Sequence, residues 1–214
     1  MQNIAALLPF FVFLIFAAII HECAHGYVAY KLGDPTAERM GRLTLNPLPH
    51  IDPYMTIIVP IMIFVLSGGR FIFGGAKPVP INYANLRRPQ RDIPLISVAG
   101  AASNYLMAIA AGLVIRLLPL PAIIVAPLGI FIFVNVLLGT FNLIPIPPLD
   151  GSKVLMLFLP PRIMEKIFRL ERYGFIILIA VIFFTPLLQY LFILIVLISS
   201  LIAGQPILEL LYAM

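Results

Sequence analysis

Residues 20 to 26 read Ile-His-Glu-Cys-Ala-His-Gly and close the first apolar run of the chain. His21 and His25 stand four positions apart, so on a helix they project from one face about a turn apart, close enough for two imidazoles to share a zinc ion. Glu22 lies between them, where it can reach a water on that metal. Catalytic zinc takes three protein ligands plus a water, so a third ligand must come from elsewhere, and His50, Asp150 and Cys23 are the candidates. Cys23 falls two positions from each histidine, roughly opposite them on the helix, which disfavours it. His50 sits in a polar loop, where a structural histidine is the simpler reading. Asp150 lies between apolar segments, where a carboxylate is expensive unless it is paired or bound to metal. The chemistry this set suits is peptide hydrolysis, with zinc lowering the pKa of its water toward about 7 and Glu22 carrying the proton to the leaving amine. An oxyanion needs a donor, and the neutral amides of Asn142 and Asn104 are candidates, with plain interhelical hydrogen bonding as their competing role.

The elements that must position these residues are membrane spans. Of 214 residues 62% are hydrophobic and only 11% charged, and the mean hydropathy is +1.07, which excludes an ordinary soluble domain and implies an integral, multi-pass membrane protein. The formal charge of +5 sits in short loops, where it serves topology and anionic lipid contact. No interleaving of basic and aromatic residues suggests nucleic acid. The single Cys23 excludes an intrachain disulfide. Ile4 to about Tyr30 reads as a first span that is retained, since it lacks a basic leader and a cleavage site and carries the histidines. Residues 33 to 53 read as a surface loop or short strand, and 54 to 66, which holds Pro60, as a tilted or partial span. Glycines bracket a strand-like piece over 68 to 80, and 85 to 92 is a basic surface loop. Spans follow over 93 to 118 and 122 to 143. Ile144 to Gly151 is too rich in proline for a helix and predicts extended backbone at membrane depth, with Asp150 in it. A short helix then runs to Leu159, residues 162 to 172 form an interfacial amphipathic helix, and 175 to 204 give two short spans or one kinked pair around Pro186.

The expected fold is an all-α polytopic membrane protein of about six transmembrane or partial helices. Short re-entrant or β-hairpin segments are expected near residues 40–50 and 70–82, and residues 1–214 form a single domain. Residues 71 to 73 and 79 to 81 could offer an edge to which an unwound substrate segment adds as a strand. If every span crossed fully, the basic residues would divide between the two faces, so either the 54 to 66 segment does not fully cross or the count of spans is off by one.

The chain resembles the site-2 protease family of intramembrane zinc metalloproteases, and looks most like its small prokaryotic members without PDZ or CBS domains. The resemblance rests on HECAH at 21 to 25, GRLTLNPLPHIDP at 41 to 53, AKPVPIN at 76 to 82, GAASN at 100 to 104 and NLIPIPPLDG at 142 to 151, in that order. It implies that His21, His25 and Asp150 bind one zinc ion per chain, that Glu22 is the catalytic base, and that Asn142 lies near the scissile bond with Asn104 as a helper. It selects Asp150 over His50. Family members often carry proline where this chain has Ala101, so the local helix break they share is not expected to be reproduced here. The implied substrate is a transmembrane or membrane-proximal peptide, and the implied location a prokaryotic cell membrane. The competing reading is a non-proteolytic membrane protein that binds or transports metal.

Overall fold

In lipid every backbone N–H and C=O must find a partner within the protein, which leaves an apolar chain of this composition the helix as its main solution. The computed structural model describes residues 4–66, 68–69 and 74–212, and among these the regular structure is helical throughout. Three helices are long and apolar enough to cross a membrane. They are α1 (Ile4–Leu32), α4 (Pro89–Leu117) and α5 (Ala122–Asn142). Each carries one internal proline, Pro9, Pro94 or Pro127, in its second turn.

Between α1 and α4 come α2 (Thr36–Arg39), a 3-10 turn at Leu48–His50, a π-helical turn at Pro53–Ile58 and α3 (Val59–Leu66). Pro53–Leu66 is apolar but short, as expected of a partial span. Residues 40–50, one of the two places where a re-entrant or hairpin segment was expected, form turns, and 74–82 run irregularly without strand pairing. Residues 71–73 lie outside the described residues. After α5 come α6 (Asp150–Val154), a 3-10 turn at Leu155–Phe158, and the amphipathic α7 (Pro161–Glu171). Then α8 (Gly174–Phe184) and α9 (Leu187–Ala203) form the expected kinked pair, bent by 86° around Thr185–Pro186, and α10 (Ile207–Tyr212) closes the chain.

Helices α1, α4 and α5 pack on one another as the centre of the molecule. Ala17 of α1 is buried against Ile130 and Val134 of α5, while Ala108 and Ala111 of α4 join Ile132, Phe133 and Val136 of α5 and Leu191 and Ile195 of α9. Small residues govern these contacts because helices in lipid gain by close van der Waals approach rather than by a hydrophobic drive. At Gly112 a Cβ would stand 2.5 Å from the Ile202 carbonyl oxygen, so α9 can lie against α4 only with glycine there.

The excursion from 33 to 88 starts and finishes at one end of the molecule. Asp34, just past α1, is fully buried and accepts hydrogen bonds from Asn82 N–H at 2.7 Å, Asn85 Nδ2 at 2.8 Å, and both Thr36 N–H and Oγ1. Lys31 of α1 likewise lines one cavity with Arg87, Arg88 and Arg91. The two ends of the stretch that holds Pro53–Leu66 therefore lie together, as the alternative in which 54 to 66 does not fully cross requires. Ile167 of α7 and Met156 pack in the same apolar cluster as Ala29 and Ile93, which brings α6 and α7 to this end as well.

Burial alone would push the Asp34 carboxyl up, but its hydrogen bonds from Thr36, Asn85 and Asn82 together hold it below the usual carboxylate range. A carboxylate with a depressed folded-state pKa stabilises above its unfolded value of about 3.9 and loses that contribution as pH falls through the folded value. Asp34→Ala is expected to cost about 2 kcal/mol near neutral pH, and the gap in thermal unfolding temperature to wild type should narrow below about pH 4. A gap unchanged across that range would mean that the charge contributes nothing.

Candidate metal centre

His21 and His25 lie in the second half of α1 and are 5% and 7% exposed, so their ring nitrogens must find partners inside the protein. Both do so through Nδ1. His25 Nδ1–H donates to the Ile96 carbonyl of α4 at 2.7 Å, and His21 Nδ1–H donates to Asn104 Oδ1 at 2.6 Å. The direction of the second bond follows from a chain of amides. Asn135 Nδ2 donates to the Phe131 carbonyl at 2.9 Å, which turns Asn135 Oδ1 toward Asn104. Asn104 Nδ2 donates to that oxygen at 3.0 Å and to the Ala17 carbonyl at 3.3 Å, which turns Asn104 Oδ1 toward His21. A backbone carbonyl on α5 thus sets the tautomer of a histidine on α1, through two asparagines that are both fully buried.

With both Nδ1 atoms protonated, neutral imidazoles present bare Nε2 lone pairs. Those two nitrogens stand 3.0 Å apart, and Asp150 Oδ2 lies 3.0 Å from one and 3.1 Å from the other. Three acceptors converge with no donor among them, so the group needs a positive centre, either protons or a metal cation. Tetrahedral zinc with ligand lengths of about 2.0–2.1 Å spaces its donor atoms about 3.3 Å apart, close to what these side chains reach, and two imidazoles with one carboxylate leave its fourth position open. Among the described residues His21, His25 and Asp150 are the one group of three such side chains placed to hold a metal.

Asp150 arrives as the first residue of α6, after Leu149 in extended conformation. The turn that presents it is tight: the Ser152 hydroxyl donates to the Leu149 carbonyl at 2.7 Å, and a Cβ at Gly151 would collide with the backbone of Leu143 and Ile144. On the opposite side α4 supplies Gly100, where a Cβ would come 2.5 Å from both Nε2 atoms. Glycine at 100 and asparagine at 104 share a helix face, so one makes room for the imidazole that the other orients.

Glu22, the next residue along α1, is half-buried, and its Oε2 accepts the Val79 N–H at 2.8 Å. Val79 lies between Pro78 and Pro80, which have no N–H of their own. The carbonyls of Lys77 and Pro78 accept from Arg42 Nη2 at 2.9 and 3.3 Å, and Lys77 N–H donates to the His50 carbonyl at 2.8 Å. The 79 to 81 stretch expected as a strand edge therefore has its first donor already engaged on Glu22 and no N–H at Pro80.

His50 is not part of the cluster. It is 3% exposed and its Nε2–H donates to the Thr44 carbonyl at 2.9 Å, a structural role in the loop. Cys23 donates to the same carbonyl at 3.2 Å. Asn142 is half-buried and donates through Nδ2 to the Leu138 carbonyl one turn back on its own helix. Asn104, expected as a donor to substrate or as a helper, has Nδ2 on Asn135 Oδ1 and the Ala17 carbonyl and Oδ1 on the His21 ring. The residues to which the sequence analysis gave no individual role at the site are Asn135, Gly100, Ile96 and Val79. The first two carried a readable signal, an amide inside an apolar helix and a glycine four positions before an asparagine. A carbonyl or an N–H of the main chain carries none.

Beside the His21–His25 turn an apolar groove of about 340 Å³ runs between α1 and residues 43–45, lined by Ile20, Cys23, Tyr27 and Leu43 among others.

Comparison with known proteins finds zinc metalloproteases by name among the relatives of this chain. The family described as Peptidase family M50 matches residues 119–187, which include Asp150. The chain is 37% identical over 195 residues, 86% of its length and 84% of the relative's, to "Putative zinc metalloprotease YwhC" of Bacillus subtilis. It is 31% identical over 172 residues to "Putative zinc metalloprotease Rip2" of Mycolicibacterium smegmatis, covering 79% of this chain and 64% of that one. A third relative, "Putative zinc metalloprotease MJ0611" of Methanocaldococcus jannaschii, is 30% identical over 138 residues, 64% of this chain and 63% of its own. No solved structure matches.

Gly100→Ala is expected to weaken zinc binding roughly tenfold or more in a chelator competition while leaving helix content unchanged, since the added methyl must displace the two imidazoles. Unaltered affinity would show that α4 does not confine the pair.

Proposed function

The chain belongs to peptidase family M50, the site-2 protease family of zinc metalloproteases, and from that premise we propose that it cleaves peptide bonds within or beside transmembrane segments of other membrane proteins. The observation that carries this reading is the convergence of two imidazole Nε2 atoms and one carboxylate oxygen among apolar helices, 3.0–3.1 Å apart. His21, His25 and Asp150 would hold one zinc ion. Bound there, zinc would supply a Lewis acid for a scissile carbonyl and lower the pKa of an attacking water toward about 7.

Glu22 takes the proton of the attacking water and passes it to the leaving amine nitrogen. The Val79 N–H fixes one carboxylate oxygen and leaves Oε1 for that transfer. Asn104 is a positioning residue, because it holds His21 in the tautomer that bares Nε2. Asn142, at the end of α5, offers its amide to the substrate near the scissile bond. A helical substrate hides its carbonyls in its own hydrogen bonds, so it must unwind before attack, and the groove between α1 and residues 43–45 is where we place the unwound stretch.

The disposition of charge supports an orientation. Lys31, Arg42, Lys77, Arg87, Arg88, Arg91 and the basic residues of α6 and α7 lie toward one end, while Arg116 closes α4 at the other. By the positive-inside rule the first end faces the cytoplasm of a prokaryotic cell, with the metal centre nearer that face.

The test is a purified series assayed for bound zinc and for cleavage of single-span peptides. Wild type is expected to hold one zinc per chain and to cleave. Glu22→Gln should keep zinc and lose cleavage by about 10²–10⁴-fold, whereas Asp150→Ala should lose zinc. Zinc kept by Asp150→Ala would refute the ligand assignment, and zinc binding without cleavage in wild type would favour the metal-binding or transport reading. A second measurement addresses Glu22 directly: Val79→Pro, which removes the N–H, should lower kcat with zinc retained, and Val79→Ala, which keeps it, should stay near wild type.

A further inference from the structure

One end of the bundle gathers a group of basic side chains apart from the His21–His25–Asp150 cluster. Lys31 and Leu32 at the end of α1 meet Arg87, Arg88, Arg91 and Leu95 at the start of α4 around a cavity of about 270 Å³. All four basic side chains belong to exposed residues. Asp92 is the one carboxylate that lines the same cavity. It is 4% exposed, and its Oδ2 accepts the Arg88 N–H at 2.8 Å to close the first turn of α4, so it faces the helix end more than the cations. Among the described residues no carboxylate lies within ion-pair distance of Arg87, Arg88 or Arg91. Lys31 Nζ stands over the Tyr27 ring, 5.3 Å from its centroid.

Four cations gathered around the single carboxylate of Asp92 repel one another, and the start of α4 adds about half a positive charge. An anion relieves this. Two further features say which kind. The walls include Leu32, half-buried, and Leu95, 41% exposed, so the cavity is cationic at its rim and apolar along its sides. The cavity also sits where two spanning helices end, which is the depth of lipid headgroups. Guanidinium groups match a phosphodiester geometrically, and the leucines suit the glycerol and first methylenes that follow it.

We propose that this cavity binds the phosphate of an anionic membrane phospholipid and so ties the end of α1 to the start of α4. These helices bear His21 and His25 on one side and Gly100 and Asn104 on the other, so the lipid braces the pair of helices between which the metal centre is built.

Lipid retention by the purified chain tests this. After exchange into nanodiscs of phosphatidylcholine with a minor share of phosphatidylglycerol, followed by extraction and native mass spectrometry, wild type should retain phosphatidylglycerol over phosphatidylcholine by about tenfold or more. The combined Arg87→Gln, Arg88→Gln and Arg91→Gln variant should lose the preference, while the corresponding lysine variant should keep part of it. Retention by wild type should also fall as salt rises, a reading that stands even if the glutamine variant does not fold. No preference in wild type, a preference indifferent to salt, or one undiminished in a folded glutamine variant would overturn the proposal. Inorganic phosphate that raises the thermal unfolding temperature as much as phosphatidylglycerol does would identify a free anion as the ligand and overturn the assignment to lipid.

Discussion

Two bare imidazole nitrogens and a carboxylate oxygen, pressed together at 3.0–3.1 Å inside a bundle of apolar helices, repel one another unless a positive charge joins them. Taking charged groups out of water costs several kcal/mol for each ion even after relaxation, so such a cluster persists only where the surroundings define it closely. The definition here starts from the main chain. The Phe131 carbonyl orients Asn135, Asn135 orients Asn104, and Asn104 fixes which nitrogen of His21 carries its proton. The Ile96 carbonyl does the same for His25. Each of the three central helices thus contributes to the protonation state of two rings on one of them.

That arrangement explains the use of small and cyclic residues around it. Helix α4 must come within van der Waals distance of the imidazoles to place Ile96 and Asn104, and Gly100 is what lets it. Asp150 must leave the regular helical path of α5 and turn back, and the prolines after Asn142 together with Gly151 allow a turn so close that its backbone touches that of Leu143 and Ile144. From below, Gly174 at the start of α8 packs on the Pro147–Pro148 backbone, with room for no Cβ, while Lys153 of α6 and Glu171 of α7 pair at 3.0 Å. The segment that bears Asp150 is therefore gripped on both sides by elements near the membrane surface.

The same end of the molecule gathers most of its positive charge. The chain from 33 to 88 leaves α1 and comes back to it, held by Asp34, and the consequence reaches beyond topology: the residues that frame Glu22, namely Val79 with Arg42 and His50 behind it, all lie on this returning excursion. Charge that the lipid surface favours and geometry that the reaction needs thus share one stretch of chain.

By itself the sequence determined the helical membrane architecture, the kinked pair at Pro186, the amphipathic α7, and the types of residue at the metal centre, because hydropathy, proline and a four-residue spacing act locally. It also favoured Asp150 over His50 on the cost of burial alone. Tertiary structure decided what depends on distance across the bundle: that Asp150 meets His21 and His25, that Asn104 holds the ring of His21, that the chain from 33 to 88 returns to the end it left, and that Asn135 and Val79 take part. Those outcomes rest on main-chain groups and on close approach between helices far apart in sequence. A carbonyl or an N–H is the same in every residue, so only the folded chain reveals which of them is aimed at a histidine or at Glu22.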